Sequence, residues 1–399
     1  MHILMIAPEP FFEPRGTPFS EYHRIRALTT LGHTVDLVTY PFGQSVELPG
    51  LRIFRCLRPP FVSHVKIGPS WAKAPLDLAL AFTAARLALT RRYDAVHSHE
   101  EGGAIGVVLA ALLRVPHLYD MHSSLPQQVE NFGYRGLPGL ARMLGWIERL
   151  MVRRSRVVIV ICEDLVNTVR TIDRDVPVVL IENAPGSGDP PRAGAGAAIR
   201  ASLGFENTTP VVLYTGTFEH YQGLDLLYGA MARVVAARPD ARLVLVGGDA
   251  AQVDAARREV ERLGLAGKVV FTGQRPAEEV PAYLDAATVL ASPRSTGTNT
   301  PLKIYQYLRS GRPIVATDLR THTQVLSPEI AFLGPATPDG FAAALLDAIN
   351  DPARSAAVGA RARQLADTKY SDAAYLAKTE QACGRLFDRP RAEVAGGVA

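Results

Sequence analysis

Short runs of Val, Ile and Leu recur along this chain with helical segments between them, and the alternation stops once and then starts again. The segments "HILMIA" (2–7), "TVDLVT" (34–39), "LRIFR" (51–55), "DAVHSH" (94–99), "PHLYDM" (116–121), "RVVIVI" (156–161) and "VPVVLI" (176–181) read as strands. Amphipathic segments such as 20–32 and 104–114 lie between most of them. Near-continuous apolar strands alternating with helices predict a parallel sheet covered on both faces. The stretch "GSGDPPRAGAGAAIRASLG" (186–204) then brings Gly, Pro and Ala and no strand signal. Alternation restarts with "PVVLYTGT" (210–217), "ARLVLVGG" (241–248), "KVVFTG" (268–273), "ATVLAS" (287–292) and "RPIVAT" (312–317). The pattern predicts two doubly wound α/β domains, residues 1–186 and 208–370, with a linker at 187–207 and a closing helix at 371–388. Ligands of such sheets bind outside the strand C-terminal ends, so two of them would place their ligands towards a shared cleft.

Length and composition agree. A chain of 399 residues is long for one core, and 47% hydrophobic with 21% charged residues excludes wholesale disorder. The net charge of +4 is mild for a nucleic-acid partner; it suits anionic phosphates or an anionic membrane surface. Cys56, Cys162 and Cys383 are sparse and far apart, which fits a reducing cytoplasm and no zinc motif. "MHILMIAPEP" reads as a first buried strand, since it lacks a basic leader and a long apolar run. No apolar stretch reaches the ~18 residues that span a bilayer.

The candidate sites fall at strand ends. "PEPFFEPRGTPFSE" (8–21) places Gly16 and Thr17 just before a helix that Ser20 could cap, where backbone N–H groups favour a phosphate. It is not GxGxxG, so dinucleotide chemistry gets little support. "HSHEEGG" (97–103) puts His97 and His99 on one face of a strand; metal binding would need a third ligand, and none is evident. In "YDMHSSLPQQ" (119–128), His122 could bond a ligand hydroxyl or only cap a turn. "DRD" (173–175) reads as a turn, not a metal site. "YTGTFEHYQGLDLL" (214–227) pairs Gly216 after a strand with Gly223 before a helix. "SPRSTGTNTPLKIYQYL" (292–308) is the densest candidate: Thr298, Asn299 and Thr300 offer donors, and Lys303 and Gln306 lie one turn apart and are expected to share a face. The plain reading of this stretch is a capped helix packing Ile304 and Leu308 on the sheet, and both readings can hold together.

In this order, with "ENAP" (182–185), "LVGGDA" (245–250), "VVFTGQRP" (269–276) and "PLKIYQYLRSGRPIVAT" (301–317), the chain resembles the family-4 glycosyltransferases of the GT-B fold over about residues 1–385. The resemblance implies two Rossmann-like domains facing across a cleft, the first for an acceptor and the second for a nucleotide sugar. It implies sugar transfer with retained anomeric configuration, no essential metal and no further cofactor, the donor being UDP- or GDP-linked. It also implies a last helix that crosses back to the first domain. On that basis His122 matches the histidine beside the donor sugar, and Gly16 with Thr17 the loop facing the diphosphate. Thr298, Asn299, Thr300, Pro301 and Leu302 match the loop whose amides hold sugar and phosphate. Gln306 matches the ribose-binding position, Arg275 lies near the base-binding segment, and Lys303 is the candidate cation for the leaving phosphate.

The departures matter. The family commonly has two glutamates where Thr298 and Gln306 stand, and an Arg and a Lys where Thr217 and Gln222 stand. Lys303 with Arg294 or His220 could supply the missing positive charge. Two alternatives stay open: a non-catalytic sugar-nucleotide or partner-binding protein, and a sugar-nucleotide epimerase using Glu100, Glu101 or Glu219. The basic amphipathic stretches 76–92 and 134–156 could be ordinary core helices or could lie on anionic lipid, which would place a cytoplasmic protein peripherally on the inner face of the membrane near a lipid-linked acceptor.

Overall fold

The computed structural model describes residues 1–12, 16–62, 73–127, 138–183 and 191–388. Parts of the stretches read above lie outside these: 13–15, 134–137, the last two residues of "ENAP", 186–190, and the tail from 389. The chain forms two compact units, Met1–Glu182 together with the chain from Tyr375, and Asn183–Ala374.

The first unit runs β1 (His2–Ala7), α1 (Gly16–Thr30), β2 (Thr34–Thr39), β3 (Leu51–Arg55), α2 (Lys73–Thr90), β4 (Ala95–His99), α3 (Gly102–Leu113), β5 (His117–Met121), α4 (Pro138–Arg154), β6 (Val157–Val160), α5 (Glu163–Ile172) and β7 (Val178–Leu180). Its seven strands are parallel, in the order β3-β2-β1-β4-β5-β6-β7. The order reverses between β1 and β4, which opens a crevice at their C-terminal ends. Strands β4 and β5 are buried along their whole length. Their polar residues are therefore inside and must find partners. His117 does so through Ser98 at 2.6 Å and Ser155 at 2.8 Å.

The second unit begins with α6 (Ala195–Ser202) and continues β8 (Val211–Thr215), α7 (Leu224–Ala237), β9 (Arg242–Val246), α8 (Ala250–Arg262), β10 (Val269–Gly273), α9 (Val280–Ala286), β11 (Val289–Ser292), α10 (Lys303–Ser310), β12 (Ile314–Thr317), α11 (Arg320–Thr323), β13 (Phe332–Gly334), α12 (Pro338–Asn350) and α13 (Pro352–Lys369). Its parallel sheet has the order β10-β9-β8-β11-β12-β13, with the reversal between β8 and β11. The expected linker at 187–207 is corrected here: α6 lies inside it and belongs to this unit. Gly196 N–H donates to the Asp285 carboxylate at 3.0 Å, and a Cβ at Gly196 would come within 2.6 Å of Asp285. Small residues that resembled a linker are what lets α6 approach α9.

The last helix, α14 (Asp372–Arg385), packs in the core of the first unit. Tyr375, Ala382 and Leu386 join Ala27, Leu118 and Ile159 there, and Lys378 pairs with Glu182. Among the described residues, no helix is long and apolar enough to cross a membrane. The three cysteines are free and buried.

Candidate active site

The site in the second unit is built where its strand order reverses. Strand β8 ends at Thr215, whose N–H donates to the Tyr307 hydroxyl of α10 at 2.9 Å. The chain then turns at Gly216, and the Tyr214 hydroxyl donates to Thr217 O at 2.7 Å. Gly223 has a φ of 74°, and a Cβ there would lie 2.0 Å from Pro293 O, so the loops after β8 and β11 touch backbone to backbone. Only glycine allows both that φ and that approach.

Protein donors hold the loop after β11 by its carbonyls. Thr317 donates to Arg294 O at 2.6 Å, Arg294 to Thr296 O at 3.0 Å and to Asn299 O at 2.9 Å, Thr321 to Asn299 O at 2.6 Å, and Gln324 to Thr298 O at 2.6 Å. With those carbonyls committed, what the loop offers a ligand is N–H, at the start of α10.

Lys303 is the centre of this arrangement. The residue is buried, its Nζ lies 3.6 Å from the Tyr214 ring centroid, and among the described residues Nζ has no hydrogen-bond acceptor. A Cβ placed on Gly216 would be 3.0 Å from that Nζ, so the amine sits directly over the turn. Burial, and then the neighbouring Arg294 charge, hold the Lys303 pKa well below that of an ordinary lysine. Burial also lowers Arg294. Charging a buried amine beside the half-buried Arg294 guanidinium is costly, and a bound anion would offset that cost. Thr300 Oγ is buried on the same loop and, among the described residues, also has no hydrogen-bond partner.

The sequence residues divide around Lys303. Gly216 and Arg294 lie beside it, while Asn299, Pro301 and Leu302 belong to the loop that leads into α10. Gln306 is exposed although it follows Lys303 by one turn, so the expected shared face is corrected. The buried stripe of α10 runs through Lys303, Ile304, Tyr307 and Leu308, and its edge passes between Lys303 and Gln306. Gln222 is half-buried in a short turn at His220–Gln222, and His220 is exposed. Arg275 is exposed just beyond β10. Beside it a hollow of about 530 Å³ opens at the ends of β9 and β10, lined by Gly248, Asp249, Arg257, Phe271 and Gln274 among others. Arg257 stacks 4.9 Å over the Phe271 ring there. The β9 end is tied to the β8 turn, since a Cβ at Gly247 would lie 2.0 Å from Gly216 O. The same sheet edge thus runs from Lys303 past Gly216 to the hollow.

The first unit holds a second polar centre. Asp120 faces His99 in the β4–β5 register. The Arg24 guanidinium of α1 donates to Asp120 at 2.9 Å and to Thr379 of α14 at 3.2 Å. His122 Nε2 lies 3.3 Å from Asp120 Oδ1 and 3.2 Å from His99 Nδ1. Burial pushes the His122 pKa down, and Asp120 pulls part of it back. Burial would raise Asp120, but Arg24 and then His122 hold it well below the carboxylate range. Glu21 is fully buried beside the group, and burial followed by the Glu9 carboxyl raises its pKa well above the usual value.

The missing third metal ligand for the histidine pair is now visible: the ligand atoms of His97, His99 and Asp120 lie within 4.8 Å of one another. Arg24 occupies the Asp120 carboxylate at 2.9 Å, however, and places a permanent positive charge where a cation would sit. The group reads as an ion-pair network that orients His122. Gly16 and Thr17 are the first residues of α1 and not a loop before it, and Ser20 is buried within the helix, so Ser20 is no cap. Of the carboxylates weighed for an epimerase, Glu101 pairs with Lys73 at 2.6 Å, Glu100 accepts from Ser123 at 3.0 Å, and Glu219 accepts from Gln252 at 3.0 Å. Asp173 accepts from the N–H groups of Asp175 and Val176 at 2.9 and 3.2 Å, which is the expected turn.

Two family models match the chain. One, described as "Glycosyl transferase 4-like domain", covers residues 22–184, and one described as "Glycosyl transferases group 1" covers 209–351. A relative in Corynebacterium glutamicum named GDP-mannose-dependent monoacylated alpha-(1-6)-phosphatidylinositol monomannoside mannosyltransferase is 29% identical over 182 residues, 44% of this chain and 47% of its own length. The match therefore spans about half of that relative. Among solved structures, sucrose-phosphate synthase from Thermosynechococcus elongatus superposes with a TM-score of 0.78 at 21% identity, covering 97% of this chain and 98% of that one. Anabaena HepE in complex with UDP-glucose gives 0.73 at 17% identity, covering 96% and 99%.

Proposed function

From the premise that this chain belongs to the family-4 glycosyltransferases of the GT-B fold, we propose that it moves a sugar from a nucleoside-diphosphate sugar to a hydroxyl acceptor with retained anomeric configuration. The observation that carries this is Lys303: a buried amine whose Nζ has no acceptor among the described residues, at the strand-order reversal, beside a loop that offers N–H groups. The diphosphate of the donor is the anion it awaits. The bond between the anomeric carbon and the β-phosphate oxygen breaks, and its electron pair stays on the phosphate. Lys303 and the loop N–H groups stabilise that charge as it develops. The acceptor oxygen bonds to the anomeric carbon from the same face, and its proton passes to the leaving phosphate oxygen. This reading assigns the leaving-group charge to Lys303 and the loop, without a metal.

The nucleoside would lie along the sheet edge towards Arg275 and the Arg257–Phe271 stack, whose flat surface suits a base. Thr217, Gln222, Thr298 and Gln306 would contribute hydrogen bonds without charge. His122, its Nε2 engaged by Asp120 and His99, would bond a sugar hydroxyl. A GDP-linked donor is supported by the name of the corynebacterial relative, and a UDP-linked one by the HepE complex. The relative's name also supports a lipid-linked acceptor, and our reading puts the transfer on the cytoplasmic side, in polysaccharide or glycoconjugate synthesis.

Calorimetric titration with UDP, GDP and their sugar conjugates, with and without EDTA, tests the donor site. Micromolar binding of one nucleotide series, unchanged by EDTA, is expected. Binding of none would overturn the reading. The neutral residues at positions 217, 222, 298 and 306 favour one second reading, a protein that binds the donor without turning it over. Tight binding with no nucleotide released in the presence of hydroxyl acceptors would establish it.

A further inference from the structure

Helices α2, α3 and α4 lie side by side on one face of the first unit's sheet. Their inner residues, such as Leu80, Leu109 and Met151, are buried in that core. Their outer sides should then be polar. They are not. Leu78 and Phe82 stand one turn apart on α2, Val108 and Leu112 one turn apart on α3, and Met143 and Trp146 on α4, and all six are exposed. Phe82 is 67% and Leu112 73% exposed. No residue of α3 has a polar side chain, so this helix is apolar towards the core and away from it alike. An apolar face of three adjacent helices marks something that covers it.

The charges say what. The same helices carry exposed arginines: Arg86 on α2, Arg114 at the end of α3, and Arg142, Arg149 and Arg153 on α4. The three helices contain only two carboxylates, and neither is exposed. Asp77 accepts from the Tyr40 hydroxyl, and Glu148 is buried against Ser124 and the Leu125 N–H. A second copy of this chain, docking the same face, would bring arginines against arginines. An anionic bilayer surface offers acyl chains for the apolar centre and lipid phosphates for the rim.

We propose that the outer face of α2, α3 and α4 docks on an anionic lipid surface. This deepens the reading above by naming where a lipid-linked acceptor would be met, and it rests on that reading for the acceptor alone. The test is flotation of the full chain with vesicles of phosphatidylcholine, alone or mixed with phosphatidylglycerol, at low and high salt. Binding to the anionic vesicles only, weakened by salt, is expected. Phe82→Glu with Leu112→Glu, and separately Arg142→Glu with Arg149→Glu, should each lower it at least about tenfold. In a Trp71→Phe background, Trp146 emission should shift to the blue on anionic vesicles and not on neutral ones. Absence of binding, or binding that none of these variants weakens, would overturn the proposal. So would a dimer in sedimentation that Leu112→Glu dissociates, since a second copy would then be the cover. Nucleotide binding by the same variants should be unchanged; its loss in the parent protein would count against the transferase reading and not against the lipid face.

Discussion

Replacing Lys303 by Met should make the free protein more stable near neutral pH and the enzyme about 10²–10³-fold slower. The two effects have one cause. Burial and Arg294 hold the Lys303 pKa well below normal, so the native state resists charging this group. Between that lowered pKa and the ordinary lysine value of ~10.4, the unfolded chain carries a proton that the native chain does not. Stability therefore rises with pH through that window, and falls as pH drops and the buried amine is forced to charge. Met fills the same space without the charge and removes both the cost and the pH dependence. A diphosphate reverses the balance, because an anion beside Nζ favours the ammonium. Donor binding should take up a proton, read as a dependence of calorimetric heat on the ionisation heat of the buffer. Lys303→Met should show no such uptake. Its loss of rate should lie mainly in kcat, since the phosphate charge is greatest as the bond breaks. Equal turnover by Lys303→Met and the parent chain would remove Lys303 from the mechanism.

What the sequence disclosed about this site, and what it hid, follows from distance along the chain. The Val and Ile runs located the long strands because both faces of each sheet are covered, which leaves little room for polar residues. The short β13, Phe332–Gly334, carries too few residues to show such a run. The loop 298–302 was legible because small polar residues ahead of a helix have few other uses. The edge of the α10 stripe was not: Lys303 and Gln306 are one turn apart, and a small rotation of the helix decides which is buried. Helix α6 was hidden by its own packing, since the Gly and Ala residues that bring it against α9 are those of a flexible linker. Asp120 gave no signal at all. A carboxylate amid strand residues reads as solvent-facing until Arg24, 96 positions earlier, and Thr379, 355 positions from that arginine, are brought to it.

That network gives the second large effect. Asp120→Asn should cost about 3–5 kcal/mol, because it leaves the Arg24 guanidinium buried without its anion. Arg24 is 1% exposed and Asp120 wholly buried, so water can replace neither partner. Calorimetric unfolding midpoints would read the loss, and the double variant Arg24→Met, Asp120→Asn should recover much of it. The pH dependence separates Asp120 from its neighbour Glu21. Asp120 has a lowered pKa in the native state, so its contribution is complete above the ordinary value of ~3.9 and is lost as pH falls towards the lower native one. Glu21 has a raised pKa, so the native state binds its proton more tightly than the unfolded chain, and stability falls as pH rises from about 4.3 towards the raised value. Glu21→Gln should therefore stabilise the protein at neutral pH where Asp120→Asn destabilises it, although Glu21 Oε1 lies only 3.9 Å from the same His99. If both variants shifted the midpoint in the same direction, the two acids would not hold opposite charge states, and the Arg24–Asp120 pair would not be the fixed charge that orients His122.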